Sequence, residues 1–251
     1  KTFEKALEKY NVDVKYGCFV KEIKQITDGF LIICDNHYEF LSDCVIIACG
    51  GMSYPSTGST GDGYKLAKSL GHTVINPRPS LVAILLEDDV SSLQGLSLKN
   101  VSLTAELNKK VISNLFGEML FTDKGISGPI VLSTSSIINT LPLDKIRLYI
   151  DLKPALNEDK LDERILRDFS KYANKQYKNA LDDLLPKSLI PEVIKRSKID
   201  ENKKVNIITK NERLELIKAL KRFELTPVSL DNFSRAIVTG GGINTKEIDP
   251  S

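Results

Sequence analysis

The sequence predicts an α/β region joined to a β-rich, barrel-like region that carries a helical subdomain. Residues 43–51 form a continuous apolar run ending in glycines, DCVIIACGG, which is typical of a strand covered on both faces in a parallel sheet. Residues 77–155 contain short alternating apolar segments, as the strands of a barrel or sandwich do. Residues 157–222 place their apolar positions at helical spacing, and strand texture returns at 223–238. The helices are therefore predicted to be inserted into the β-rich region, which is itself inserted into the α/β region.

The first part of the α/β region predicts a short helix, a strand and a small antiparallel meander. Phe3, Leu7 and Tyr10 share one face of the helix, and residues 12–16, VDVKY, predict a strand. TDG and DN turns then separate three further strand-like segments: CFVKEIKQI, FLIIC and HYEFL.

Two further helices have clear start signals. Asp62 and Gly63 open one helix, and Gly71 closes it in the position where glycine commonly ends a helix. The Asp62 carboxylate is expected to be the N-cap of that helix rather than a catalytic base. Another helix is predicted to begin near Gly128 and Pro129, where the missing N–H of proline does no harm.

The expected domain boundaries lie where the spacing of apolar residues changes between strand-like alternation and helical periodicity. The α/β region is expected at 1–76, the β-rich insert at 77–156, the helical subdomain at 157–222, the return strands at 223–238, and the return to the α/β region at 239–251. The chain begins within a helical pattern and stops at IDPS, so we expect a fragment of a longer protein.

Composition excludes several classes of protein. The chain has 251 residues, 41% of them hydrophobic, and a net charge of +2, so neither a general nucleic-acid surface nor a membrane surface is predicted. No apolar run approaches the roughly 18 residues of a membrane span. The four cysteines form no CxxC pair, so no zinc site is predicted. Cys34, Cys44 and Cys49 are expected to be small buried residues in a reducing, cytoplasmic setting.

The stretch 48–67, ACGGMSYPSTGSTGDGYKLA, places five glycines between the predicted strand and helix. Missing side chains let backbone N–H groups approach an anionic or flat ligand, and a helix start adds partial positive charge. Two nucleotide signatures fail, however: Tyr64-Lys65 follows Gly63 where a phosphate loop needs Lys and Ser or Thr, and GSTGDG runs the dinucleotide spacing in reverse. On spacing alone, a nucleotide site and a plain tight connection are equally good interpretations.

Three motifs, in order along the chain, resemble a known family. They are VIIACGGMSYPSTGSTGDGYKLAKSLGH, GEMLFTDKGISGPIVLSTSS at 117–136, and TPVSLDNFSRAIVTGGGINTKEIDPS at 226–251. Together they resemble the NAD(FAD)-utilising dehydrogenases, FAD-dependent flavoproteins that include aminoacetone oxidase-like and bile-acid enone reductase-like proteins. The resemblance implies a partial two-dinucleotide-binding, Rossmann-like FAD domain holding the β-rich insert. It also implies that the N-terminal G-x-G-x-x-G loop and the C-terminal FAD segment are missing, so this chain alone is expected to hold FAD weakly and to be inactive.

The same resemblance implies which residues contact the cofactor. The backbone of Val20 would meet the adenine. Cys49, Gly50 and Gly51 would form a turn near the flavin, with Cys where the family has Thr. The loop lining the flavin pocket would contain Tyr54, Thr57, Gly58, Ser59 and Thr60, and a second turn facing the ring would contain Gly240, Gly241 and Gly242. Two of these also have a plain structural interpretation: Val20 as a buried strand residue and Cys49 as a space-filling side chain.

Other features admit two interpretations. The GISGP turn at 125–129 is either a helix start that stabilises negative charge near the flavin or a plain cap. Residues 195–222 carry ten Lys or Arg against four Asp or Glu, which favours a solvated helical face over a nucleic-acid surface because no aromatic residues are interleaved. His37 is expected in a solvated hairpin turn and His72 in a hydrogen-bonded turn.

The expected function is an FAD-dependent oxidoreductase acting on a small organic molecule, with NAD(P)H as a possible hydride donor. No catalytic residue is predicted, which suits flavin chemistry because the cofactor performs the redox step. No metal, nucleic-acid or membrane partner is expected. A flavin-binding module without turnover and a basic, nucleic-acid-binding helical domain are the alternatives.

Overall fold

A computed structural model of the protein describes residues 2–249, which divide into two compact units. The first unit contains the described residues up to Pro77 and from Gly241 onwards, and the second contains Arg78–Gly240. No helix within the described residues is long and apolar enough to cross a membrane.

The first unit contains the predicted meander and two helices. Its elements are α1 (Thr2–Lys9), β1 (Val20–Ile26), β2 (Gly29–Cys34), β3 (Glu39–Ser42) and α2 (Asp62–Ser69). The strands pair antiparallel in the order β1-β2-β3, which confirms the meander. Ile23 and Cys34 are buried on this sheet, and α2 packs against β1. The helix predicted after Asp62 is confirmed as well.

Two predicted strands of this unit are wrong. Residues 12–16 and 43–51 are not assigned as strands, because within residues 2–249 no other strand pairs with their backbones. Ile46 in the apolar run is 90% exposed. Cys44 and Cys49 are consequently exposed rather than buried, and only Cys34 matches the expectation for the three.

The second unit is built around a seven-stranded antiparallel sheet. Its strands lie in the order β10-β9-β6-β7-β8-β5-β11. Their bounds are β5 Ile84–Leu86, β6 Ser97–Leu107, β7 Lys110–Phe121, β8 Gly125–Ser127, β9 Ile146–Asp151, β10 Phe223–Leu225 and β11 Pro227–Leu230. A separate pair joins β4 (Val74–Ser80) to β12 (Val238–Ile243).

One short segment forms both edges of the large sheet. β10 pairs with β9 at one edge, and β11 pairs with β5 at the other, with only Thr226 between the two strands. Thr226 is held on both sides: its N–H donates to Asp88 at 2.7 Å, and its carbonyl accepts from the N–H of Glu87 at 2.9 Å. The arrangement is barrel-like, although the recorded strand pairs do not close a ring.

Four helices complete the second unit: α3 (Pro129–Ile138), α4 (Glu158–Lys171), α5 (Ile190–Ser197) and α6 (Lys210–Lys221). Pro129 opens α3 as predicted. The last three helices lie in the chain between β9 and β10, and α6 packs against α4, α5 and the sheet. Their buried apolar side chains belong to the same core cluster as those of the sheet, so the helices and the sheet share one interior.

Candidate functional site

The glycine-rich stretch of the first unit is a closed loop. The Gly51 carbonyl accepts a hydrogen bond from the N–H of Gly61 at 3.1 Å, which ties together the two ends of the loop just before α2. Inside it, Pro55–Thr57 form a 3-10 turn whose N-cap, Tyr54, has a left-handed φ of 52°. The Gly58 N–H donates to the Pro55 carbonyl at 3.1 Å. Sequence positions 51 to 61 are therefore held as one compact unit of backbone.

Gly50 lies against the far side of this loop. A Cβ atom on Gly50 would fall 2.8 Å from the Ser59 hydroxyl oxygen, and the φ of Gly50 is 71°. The left-handed backbone favours glycine here, and a side chain at this position would also displace the Ser59 hydroxyl. Gly50 and Ser59, two of the predicted contacts, are thus brought together by the fold.

The threonine hydroxyls of the loop are engaged within it. The Thr57 hydroxyl donates to the Tyr54 carbonyl at 2.7 Å, and the Thr60 hydroxyl donates to the Asp62 carboxylate. In this conformation both threonines fix the loop rather than offer their protons to a ligand.

The predicted N-cap role of Asp62 is wrong. Gly61 is the N-cap of α2, Asp62 is the first helical residue, and its carboxylate accepts from Thr60 and from the Lys65 ammonium at 2.9 Å. The hydrogen bond from Thr60, followed by that from Lys65, lowers the pKa of the Asp62 carboxyl. Asp62 already has a helical backbone, whereas an N-cap residue lies just outside the helix. Its carboxylate therefore accepts from Thr60 and Lys65 rather than capping the helix.

The second predicted turn meets the same helix. A Cβ on Gly242 would lie 3.0 Å from the Tyr64 ring in the first turn of α2, and Gly242 has a φ of 99°. Gly241 lies beside the Asn76 carbonyl of β4. Gly240 belongs to the second unit, where it lies near Asn139. Within the first unit, the fold therefore places Gly242 beside the start of α2, next to the end of the glycine-rich loop.

Sequence reasoning missed Tyr64. It ends the GDGY part of the first motif, and its ring is the surface against which Gly242 packs. The aromatic residue following the last loop glycine was the signal that could have identified it.

Val20 and Cys49 lie at the borders of this arrangement. Val20 is the half-buried first residue of β1, opposite Cys34 and next to a register shift. Cys49 is exposed, and its Sγ would lie 3.9 Å from a Cβ placed on Gly63. Both residues therefore adjoin elements that carry the loop, Val20 through the packing of α2 on β1.

The histidines occupy turns, as predicted. His37 lies in the turn after β2 with a φ of 65° and is exposed. His72 has its Nδ1 atom 3.5 Å from the Glu247 carboxylate, and the backbone N–H of Thr73 donates to the same carboxylate at 2.8 Å. This carboxylate ties the segment after α2 to the segment after β12, with the Thr73 bond as the main cause of a lowered pKa of Glu247.

In the second unit, the GISGP turn starts α3. Gly128 is the N-cap of the helix and packs against the backbone of Met119 in β7. The Thr134 hydroxyl bonds back to the Ile130 carbonyl at 2.7 Å within the helix. The turn is shown to be a structural cap, and its further role toward a flavin stays a prediction.

The basic segment 195–222 is partly neutralised in the second unit. Its ion-paired residues, each within 3.1 Å of a carboxylate, are Arg196, Lys203, Arg213, Lys221 and Arg222. Lys198 and Lys218 are exposed at a groove of about 320 Å³ between the ends of α5 and α6, and the Lys218 ammonium lies 4.0 Å from the Glu215 carboxylate. That groove carries four basic and two acidic side chains: Arg196, Lys198, Lys218, Arg222, Glu215 and Glu224.

Comparison with known proteins gives consistent matches. The model of the family described as HI0933-like protein barrel and H2TH domain matches residues 78–238. The chain is 30% identical over 249 residues to the 3-dehydro-bile acid delta(4,6)-reductase of Clostridium scindens, covering 98% of this chain and 61% of that protein. It is 30% identical over 247 residues to the ribosomal RNA dihydrouridine synthase of Haemophilus influenzae, covering 96% of this chain and 58% of that protein. The Escherichia coli protein of that name is 31% identical over 189 residues, covering 73% of this chain and 44% of that protein. The chain thus spans about three fifths of the length of the first two relatives.

Proposed function

The chain belongs to the family of proteins with an HI0933-like barrel and H2TH domain, and we propose that it forms part of an FAD-dependent oxidoreductase. The observation that carries the proposal is the closed loop of the first unit, in which glycines leave bare backbone beside the start of α2. This loop coincides with the longest of the three motifs that resemble FAD-dependent flavoproteins.

Three features of the described residues support a flat, partly anionic cofactor. Gly50 and Gly242 pack closely against Ser59 and Tyr64 and so give the loop its shape, whereas a Cβ on Gly58 would meet nothing within 4 Å and this glycine leaves open backbone for a ligand. The N-terminus of α2 adds partial positive charge next to the loop.

On the resemblance, we assign FAD contacts to Val20, Cys49, Gly50, Gly51, Tyr54, Thr57, Gly58, Ser59, Thr60, Gly240, Gly241 and Gly242. The Thr57 and Thr60 hydroxyls would have to leave the Tyr54 carbonyl and the Asp62 carboxylate to donate to the cofactor.

Bound FAD would supply hydride transfer, with NAD(P)H as the electron donor. The residues of this chain would orient and hold it: the Gly51–Gly61 bond fixes the loop, and the threonine hydroxyls keep that loop rigid. The names of the relatives describe a reductase and synthases of a dihydro-nucleoside. Both names imply addition of hydrogen across a carbon–carbon double bond, so we propose that reaction class on a small organic substrate in the cytoplasm.

The test uses the protein expressed from its complete gene. The purified protein should show the visible absorbance of oxidised flavin. NADH or NADPH should bleach this absorbance, and a conjugated enone added afterwards should restore it. A protein that cannot take up FAD contradicts the proposal. A protein that binds FAD but never cycles with any reductant would instead be a flavin-binding module without turnover.

A matched pair of glycine variants tests the site itself. Gly242→Ala should weaken FAD binding, because the new Cβ would press on the Tyr64 ring at 3.0 Å. Gly17→Ala is the control, since Gly17 also has a positive φ, 69°, but has nothing within 4 Å of its Cβ position. Affinity is measured by titrating FAD into each apoprotein. Equal affinities in the two variants would remove Gly242 from the site.

The relatives named as ribosomal RNA dihydrouridine synthases favour a second candidate, reduction of uridine in RNA. The supporting feature in this chain is the groove with exposed Lys198 and Lys218, because cations that neutralise phosphates dominate RNA affinity. In this second candidate, the helical subdomain holds the RNA backbone.

Charge reversal distinguishes the two substrates. Lys198→Glu with Lys218→Glu should lower RNA affinity and reduce the slope of log affinity against log salt by about 1 for each phosphate that the variant no longer neutralises. The control is Lys5→Glu with Lys9→Glu on α1. Unchanged RNA affinity and salt dependence, together with turnover of an enone, would leave the small-molecule substrate as the better candidate.

A further inference from the structure

Two of the four cysteines lie at the same end of the β1–β2 hairpin. Cys34 is the last residue of β2 and pairs with Val20, the first residue of β1, and Cys18 precedes Val20 by two positions. Cys34 is 3% exposed, whereas Cys18 is half-buried and can be reached from solvent. One accessible sulfur and one buried sulfur therefore belong to the same corner of the first unit.

Hydrogen bonds hold the two cysteine-bearing segments side by side. The Asp35 N–H donates to the Phe19 carbonyl at 2.9 Å, and the Phe19 N–H donates to the Asp35 carboxylate at 3.3 Å. The side-chain amide of Asn36 donates to the Gly17 carbonyl at 3.1 Å and to the Cys18 sulfur at 3.5 Å. The residues on both sides of Cys18 are thus fixed to the two residues that follow β2.

The side chains of the two cysteines are direct neighbours. Burial, followed by the electrostatic effect of Cys18, raises the pKa of the Cys34 thiol. Cys34 is therefore mostly a protonated thiol at neutral pH, and Cys18 is the sulfur that meets a dissolved oxidant first. A disulfide needs its sulfurs about 2.0 Å apart. The Cys18 segment can make this approach because it precedes the first ladder pair at Val20, and Gly17 has nothing within 4 Å of its Cβ position.

Cys44 provides a contrast within the same sheet. Ser42, two positions before Cys44, pairs with Phe30 near the start of β2, whereas Cys34 ends that strand. Cys44 therefore follows the opposite end of β2, and it is exposed. Its thiol is a matched control that has access to solvent but lies away from the Cys18–Cys34 corner.

We propose that Cys18 and Cys34 form a reversible disulfide when the protein meets a peroxide. The Cys18 sulfur attacks hydrogen peroxide, the O–O bond breaks, and Cys18 becomes a sulfenic acid as one water leaves. The Cys34 sulfur then attacks the Cys18 sulfur, the S–O bond breaks, and the hydroxyl leaves as a second water with the Cys34 proton. Two thiols together give two electrons and two protons to one peroxide. Added thiols reverse the reaction by thiol–disulfide exchange.

The disulfide would fasten the start of β1 to the end of β2. By closing the loop from 18 to 34, it would restrict the opening of this end of the hairpin, which lies in the unit with few buried apolar side chains. In the reducing setting expected for this chain, such a bond is transient and responds to oxidation. The modification does not depend on flavin or on the proposed oxidoreductase activity.

Peptide mapping tests the proposal on the protein expressed from its complete gene. After hydrogen peroxide and alkylation of the remaining thiols, digestion with trypsin and a glutamate-specific protease separates Cys34 from Cys44 by cleavage after Glu39. Mass spectrometry should find peptide 16–21 linked to peptide 25–39, and dithiothreitol should release both. Free thiols at both positions, a link from either to another cysteine, or Cys18 oxidised further without a link overturns the proposal.

Variants separate the roles of the two sulfurs. Cys18→Ser should abolish the linked peptide, and Cys44→Ser should leave it unchanged. In Cys34→Ala the sulfenic acid on Cys18 has no partner, so trapping by dimedone should increase about tenfold or more over the wild-type protein. Circular dichroism checks that each variant is folded, and Cys18→Ser keeps the test decisive if Cys34→Ala does not fold. Equal dimedone labelling of wild type and folded Cys34→Ala contradicts the assignment.

Hydrogen exchange measures the effect of the bond on the hairpin. The amides of Val20 and Cys34 should exchange about tenfold more slowly after oxidation, and dithiothreitol should restore the original rates. Cys18→Ser should show no change with peroxide. Unchanged exchange in protein that contains the linked peptide would contradict the stabilising effect. These readouts do not involve flavin bleaching, so failure here is distinct from failure of the proposed oxidoreductase function.

Discussion

Asp62 connects the glycine-rich loop to α2 through a single carboxylate. It accepts from the Thr60 hydroxyl in the loop and from the Lys65 ammonium one turn along the helix. Both partners favour the ionised carboxylate, with the Thr60 hydrogen bond as the larger cause of its lowered pKa. A negative charge in the first turn also complements the helix dipole. The residue therefore acts on the geometry of the loop rather than as a proton donor.

Replacing Asp62 with Asn should make the loop less stable at neutral pH and remove part of its acid sensitivity. The pKa of Asp62 is lower in the folded protein than its ordinary value of 3.8, so its stabilisation is present above that value and is lost as the pH falls through the folded pKa. The protection factors of the amides of residues 51–61, which are exchange rates corrected for the intrinsic effect of pH, should fall in the wild-type protein as the pH drops through this window. In Asp62→Asn the protection factors should be lower at neutral pH and change less with pH. Identical exchange profiles in the two proteins would show that the carboxylate does not hold the loop.

At the scale of elements, a segment forms a strand only where a neighbouring strand is available for backbone pairing, whatever its own composition. The apolar run 43–51 has the composition of a buried strand but lacks a pairing strand within residues 2–249. In contrast, the short segments β10 and β11 pair well because each finds an edge, β9 on one side and β5 on the other. Only one residue separates them, so the chain bridges the two edges of the sheet without a loop.

The helical elements are specified more locally. Thr209 and Glu212 form a reciprocal capping box at the start of α6, and the Asn157 side chain accepts from the Lys160 N–H at the start of α4. Arg213 of α6 then pairs with Asp162 of α4 at 2.8 Å, which fixes one helix against the other. The caps act over three residues and set where these helices begin, whereas the Arg213–Asp162 pair joins residues far apart in sequence and could not be predicted from the helical period.

At the scale of the whole molecule, the second unit has one continuous core of buried apolar side chains, whereas the first unit has few buried apolar side chains. Leu103 of β6 and Leu216 of α6 are both fully buried and belong to one continuous core. In the first unit, Ile23, Cys34, Leu66 and Ala67 are among the few buried apolar side chains, and Phe3 on α1 is 85% exposed. The second unit is therefore the stable part of the described chain, since apolar burial is the main stabilising contribution.

The shared core predicts that sheet and helices unfold together. Leu103→Ala and Leu216→Ala should each cost about 2–5 kcal/mol of unfolding free energy, because each leaves a cavity in a fully buried site. Both should shift the same transition, followed by circular dichroism and by hydrogen exchange of β6 and α6 amides. Separate transitions, with Leu216→Ala affecting the helices alone, would show that the helical subdomain folds by itself.

The sequence by itself determined the features that depend on neighbours along the chain: the meander with its turns, the helix after Asp62, the start of α3 at Pro129 and the helical period of 157–222. These follow from turn chemistry, caps and apolar spacing, which act over a few residues. Only the tertiary structure decided that 43–51 forms no strand, that Thr226 separates the two edges of one sheet, and that Gly242 packs on Tyr64. Each of these depends on contacts between segments far apart in sequence, where backbone pairing and close approach are set by the partner and not by the local residues.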